Sequence, residues 1–184
     1  MIEERYHPIA ILVHWLMAGI ILVTWSIAIV VSDMPLSPTR IAGYSWHKWL
    51  GVTIFFLVLM RMLWRGFYPP PKFTIVMPLW QKRVMQLTHI SLYILMITLP
   101  LVGWLMSSAK GFSVNYFGLF ELPDLVEKNK ELGTFLKETH ELLANFLVGL
   151  VLIHVFAAFK HQLIDKDGLM SRMAFAQNKK ERSL

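Results

Sequence analysis

His140-Glu-Leu-Leu-Ala-Asn-Phe-Leu-Val-Gly-Leu-Val-Leu-Ile-His154 is an apolar run with a histidine at each end, fourteen residues apart. At about 100° and 1.5 Å per residue, a helix brings the second ring to within about 40° of the first, some 21 Å along the axis. One face therefore presents two imidazoles separated by much of a bilayer's hydrocarbon depth of about 30 Å. Polar groups held in lipid need partners, because an unsatisfied one is costly there. The run predicts a spanning helix whose histidines meet ligands or donors carried by other helices.

The rest of the composition agrees with a membrane setting. Of 184 residues, 55% are hydrophobic and only 16% charged, and the charges collect between long apolar runs instead of interleaving with them. This predicts an all-α integral membrane four-helix bundle forming a single domain over residues 1–184. The spans expected are about 9–31, 44–63, 82–106 and 138–163. The first run is too long for a signal-peptide core and is kept as a helix. With no cysteine, disulfides, iron–sulfur clusters, thiolate-ligated haem and covalently attached haem are excluded.

Between the spans, Asp33-Met-Pro-Leu-Ser-Pro-Thr-Arg40 reads as a turn-rich loop and Pro69–Pro71 as a stiff connector. Pro100 and Gly103 suggest a kink in the third helix. A long polar loop is expected from Ser107 to about Glu138, with a short surface helix over Val126–Thr139. Twelve Lys and Arg fall on the side of the termini, among them Arg5, Arg65, Lys72, Lys179, Lys180 and Arg182, against six on the other side. Both termini are therefore expected in the cytoplasm. The net charge of +6 is thus a topology signal, and no nucleic-acid partner is expected. Trp15, Trp46, Trp49, Trp64, Trp80 and Trp104 lie mostly near helix ends, as interfacial aromatics do.

Depth pairs the histidines. His14 of the first helix lies level with His154 near the cytoplasmic face, and His47 of the second lies level with His140 near the outer face. Facing imidazoles at one depth make a bis-histidine site for a b-type haem, whose iron then carries electrons and does not bind oxygen. Two haems are expected, with His14, His47, His140 and His154 as iron ligands. A di-metal carboxylate site needs Asp or Glu inside the bundle, and the apolar runs contain none; zinc transport fails for want of a charged pathway.

Arg61 falls fourteen residues after His47, on the same face but at the cytoplasmic end. It is read either as a partner for haem propionates or as an anchor that snorkels outward. Gly19, Gly51 and Gly149 suit close approach of a flat macrocycle or simple helix packing. His89 is surplus: a substitute for His14, a donor to a quinone carbonyl, or an interfacial residue. His161, seven residues after His154, is a candidate for proton delivery or quinone contact.

These segments resemble the bacterial di-haem cytochrome b561 family over nearly the whole chain. Arg5-Tyr-His-Pro-Ile-Ala-Ile-Leu-Val-His14-Trp15 is similar to its opening. His47-Lys48-Trp-Leu-Gly51 with Arg61, Arg65 and Tyr68-Pro69 resembles its second helix. His140-Glu-Leu-Leu-Ala144-Asn145, Leu152-Ile-His154 through His161, and Asp165-Lys-Asp-Gly-Leu-Met-Ser-Arg172-Met173 resemble the fourth helix and its exit. The resemblance implies haem ligands at the same four histidines, a quinone partner (ubiquinone as electron acceptor) and a multi-pass place in the bacterial inner membrane.

The family includes stand-alone superoxide oxidases and b-type subunits that anchor hydrogenases or formate dehydrogenases. The compact chain, with one partly acidic loop, resembles the stand-alone type. That implies a superoxide:quinone oxidoreductase whose outer-side Lys48, with Lys110 and Lys137, focuses superoxide toward the outer haem. The alternative is a haem anchor relaying electrons between quinone and a separate redox protein. Arg61, His89 and His161 favour a cytoplasmic quinone site; Lys48, beside a ligand, favours an outer one.

Overall fold

In the computed structural model, residues 5–71 and 77–175 are described. Lys72, Lys179, Lys180 and Arg182, which entered the charge count, lie outside them. Four helices are long and apolar enough to cross a membrane: α1 Pro8–Asp33, α2 Pro38–Phe67, α3 Leu79–Ala109 and α4 Lys130–Lys160. α1 packs along α2 and α3 along α4, whereas α2 and α3 meet far less closely. The buried core of Val13, Met17 and Val58 is joined by Leu57, Tyr93, Met96 and Ile97, drawn from three helices.

α1, α2 and α3 outrun at both ends the spans their apolar runs predict; α4 outruns its span at the start and gives way to a π-helical turn after Lys160. α2 begins at Pro38, inside the stretch expected to be loop, because the Ser37 side chain accepts from the Arg40 amide and proline occupies the first turn. α4 begins at Lys130 under an Asn129 cap, so the separate surface helix expected at Val126–Thr139 is instead the first turns of α4. Backbone hydrogen bonding carries a helix past the membrane boundary, and hydropathy does not register that. The Lys137–Glu141 pair at 2.9 Å lies on this exposed extension. α3 runs unbroken through Pro100.

Within the long polar loop, β1 Val114–Tyr116 pairs antiparallel with β2 Phe120–Leu122, Tyr116 opposite Phe120. The all-α expectation thus gains one small hairpin. It folds onto α2: Phe117 stacks on Trp49 at 4.6 Å, and the Trp49 indole donates to the Asn115 carbonyl. At the opposite end the tail is tied down. Arg5 donates to the Ser171 and Ala174 carbonyls, Trp15 to the Met173 carbonyl at 2.9 Å, and Arg172 to the Pro71 carbonyl at 3.0 Å. Arg172 is buried, so the Arg5, Trp15 and Arg172 motifs serve this closure. The bundle therefore has a terminal end and a hairpin end.

Where α2 starts back along α1, a Cβ on Gly43 would run into Val31 Cγ1, and Val31 is itself buried. Gly43→Ala is expected to cost about 1–3 kcal/mol by overpacking, with Val31→Ala restoring part of it in the double variant. Thermal unfolding in detergent measures both; losses that simply add would rule out this contact as the cause.

Candidate functional site

α4 carries both histidines of the organising run, and each faces a histidine of a different helix. At the terminal end the His14 ring of α1 lies 6.2 Å from that of His154, with the planes at 79°. At the hairpin end the His47 ring of α2 lies 6.1 Å from that of His140, with the planes at 73°. The four rings are thus brought together in the two pairs that depth predicted.

A metal bound between two imidazoles, about 2 Å from each nitrogen, places the ring centres about 6.4 Å apart. Both separations fit a bridging iron. The helices fit as well: α4 packs closely on α3, while α1 and α2, which bear the partner histidines, stand off from it. Gly51, one turn from His47 on the same face, has nothing within 4 Å of where a Cβ would project. Gly19 and Gly149 are equally open. They lie about 140° round their helices from His14 and His154, which favours packing or lipid contact over a macrocycle.

The rings are held from behind. His47 Nδ1 donates to the Thr24 carbonyl at 3.0 Å, so Nε2 is the nitrogen that could ligate a metal. His140 Nδ1 is buried without a well-formed hydrogen bond, the Leu99 carbonyl being the backbone acceptor beside it. A Cβ on Gly103 would stand 3.0 Å from His140 Cε1. Gly103, read from sequence as part of a kink, therefore makes room for the His140 ring.

At the terminal end Arg61 donates Nε to the Tyr93 hydroxyl at 3.0 Å and Nη1 to the Ala10 carbonyl at 2.9 Å. Its charge reaches His14, His154 and His89, so it turns into the bundle and does not snorkel outward. Tyr93, which pins it, gave no signal in the sequence beyond being a polar-tipped aromatic in an apolar run. His89 donates Nδ1 to the Met85 carbonyl of its own helix at 2.8 Å, and its ring lies 5.2 Å from that of His154. His161 sits in a π-helical turn that ends α4, with Nδ1 2.6 Å from Asp167 and 3.2 Å from Asp165.

At the hairpin end, Lys48 reaches the Ser113 carbonyl at 3.5 Å and lies over the Phe112 ring. Lys110 packs its stem on Gly133. Burial first, then the Lys137 charge, lowers the Lys110 ammonium pKa below the usual lysine value, with Glu141 opposing. Lys137 itself is paired with Glu141.

Apolar helices that present matched imidazole pairs across their bundle make up a membrane protein of the b-type haem class. The chain belongs to the prokaryotic cytochrome b561 family, whose match covers residues 5–176. It is similar to cytochrome b561 homolog 2 of Escherichia coli (strain K12), 30% identical over 177 residues that make up 92% of this chain and 91% of that relative. Cytochrome b561 homolog 1 of the same organism is 29% identical, over 92% of this chain and 97% of its own. A Yersinia pestis protein named probable superoxide oxidase CybB is 28% identical over 93% and 96%. The protein is accordingly a multi-pass inner-membrane haem protein.

Proposed function

We propose that this protein holds two b-type haems, one between His14 and His154 and one between His47 and His140, and passes electrons from superoxide to ubiquinone. The observation that carries the reading is the repeated separation of 6.1 and 6.2 Å between facing imidazoles at opposite ends of one helix. Held by those histidines, haem would supply reversible one-electron transfer. Two superoxide anions each give up one electron, and ubiquinone takes two electrons and two protons. The products are two dioxygen molecules and one ubiquinol.

The chain's own residues bind, orient and attract. Thr24 and Gly103 orient the hairpin-end rings, and the Arg61 guanidinium is placed to pair with propionates. Lys48 and Lys110 form the positive field that meets superoxide at the hairpin end, which faces outward with both termini in the cytoplasm. His161, oriented by Asp167, delivers protons at the terminal end. The likeness to a relative named for superoxide oxidation supports the choice of donor.

The test is purified protein in detergent, given superoxide and ubiquinone with no other subunit. Reducible b-type absorption and ubiquinol formation are expected. Failure to form ubiquinol, with a redox subunit co-purifying, would favour the haem-anchor alternative. The superoxide rate is expected to fall as salt is raised from about 10 mM to 300 mM, since screening shortens the reach of Lys48 and Lys110. A rate flat across that series would remove the lysines from the capture step.

A further inference from the structure

Down α2, the residues Thr53, Phe56, Met60, Leu63 and Phe67 all fall within about 40° of Trp49, on the side turned away from His47. Phe56, Met60, Leu63 and Phe67 are exposed, as a lipid-facing stripe is. Trp49 and Thr53 are only half-exposed, because the β1–β2 hairpin covers them. Phe117 stacks on Trp49, the Trp49 indole donates to the Asn115 carbonyl, and the Tyr116 and Thr53 hydroxyls meet at 3.0 Å. The hairpin thus occupies one end of a face that lipid covers along the rest of its length.

Depth fixes where the hairpin lies. Lys48 is the last charge on α2 before Arg61, so the uncharged run of this helix opens at Trp49. Thr53 stands one turn further in, about 6 Å. The loop that leaves α3 at Ala109 therefore returns alongside α2 to the level at which lipid begins, and does not stand clear in water. Its far end is Tyr116-Phe-Gly-Leu-Phe120, five residues without a charge. Val114 is buried, whereas Leu119 is 77% exposed, Phe120 50% and Phe117 39%. The Leu119 amide donates to the Tyr116 carbonyl at 2.9 Å, so the turn does not carry that donor unpaired into an apolar medium.

We propose that the tip of this hairpin is seated in the bilayer, with Leu119 and Phe120 among the glycerol groups and first acyl carbons of the leaflet at the hairpin end. The inference stands apart from the haem reading. The exposed side chains of the tip continue the stripe of Phe56 and Met60 at the boundary depth where aromatic residues concentrate. A soluble protein would have to reach past Lys48, to a level that lipid already fills, to cover the same surface. Seating the tip also steadies the segment of this loop that lays Phe112 and Ser113 against Lys48.

The chain has no cysteine, so Leu119→Cys gives the full-length haem-loaded protein one site for a nitroxide label. In phosphatidylcholine vesicles, power-saturation electron paramagnetic resonance compares relaxation by dioxygen, which enters lipid, with relaxation by a nickel chelate, which stays in water. Dioxygen is expected to dominate at Leu119. The order should reverse at Glu127→Cys, an exposed position of the same loop, with the ratio of the two effects differing several-fold between the sites. The unsubstituted protein supplies a second measurement: phosphatidylcholine with a diazirine near its acyl carbonyl is expected to label residues 116–120. A nickel effect at Leu119 as large as at Glu127, or label absent from 116–120 while the stripe of α2 is labelled, overturns the proposal. Dipolar broadening at Leu119 that dilution with unlabelled protein removes would make a second copy of the chain the occupant, which overturns it too.

Discussion

His140→Ala is expected to cut the haem content from the two b-type haems proposed to one. Among the described residues, the imidazoles at the hairpin end are those of His140 and His47, so nothing there can replace a lost ligand. The terminal-end pair lies about 20 Å along α4 and is fixed by its own neighbours. Haem-to-protein ratio and a redox titration, read on material of unchanged helical content, measure the outcome. Retention of both haems would show that this ring is not a ligand. Gly103→Val should give the same loss with His140 intact, because even a Cβ would stand 3.0 Å from Cε1 and the added methyls press further. Gly51→Ala, which meets nothing within 4 Å, is expected to be milder.

The contrast between these two glycines shows what a sequence can carry. Gly51 is legible because it lies one turn from a histidine on the same helix, and helical arithmetic suffices. Gly103 matters through a ring on another helix, and no periodicity within α3 points to it. Tyr93 is the same kind of residue: its role arises only where Arg61 crosses to meet it. The four spans and the histidine levels were readable because lipid imposes length, apolarity and depth on each helix separately.

The β1–β2 hairpin failed to announce itself for a different reason. Its turn has positive φ at both Phe117 (50°) and Gly118 (73°), a backbone that usually advertises itself by Asn-Gly or Asp-Gly. Phenylalanine is uncommon in the left-handed region. It is held there by Trp49, Trp46 and Tyr116, whose rings lie 4.6, 5.8 and 4.8 Å away. Tertiary contacts with α2 replace turn propensity, so the loop could be recognised only once α2 was in place. The same contacts hold the loop that carries Phe112 and Ser113 against Lys48, and so fix one of the two cations proposed to meet superoxide.

At the terminal end the His154 ring has two neighbouring imidazoles, His14 and His89, where an iron needs one partner, and His14→Ala and His89→Ala should separate them sharply. His14→Ala is expected to lose the terminal-end haem; His89→Ala is expected to keep both haems with an unchanged low-spin spectrum. The His89 and His154 rings stand 5.2 Å apart, more than an ångström short of the roughly 6.4 Å that an iron between two imidazoles requires. His89 is also tethered to Met85 one turn earlier, and α3 packs too closely on α4 to admit a macrocycle between them. His14 meets neither obstacle: its ring stands at 6.2 Å, on a helix that stands off from α4. Haem content and electron paramagnetic resonance of the two variants decide the matter. If His14→Ala kept both haems while His89→Ala lost one, α3 would have to carry the ligand and the two-level pairing along α4 would be wrong at this end.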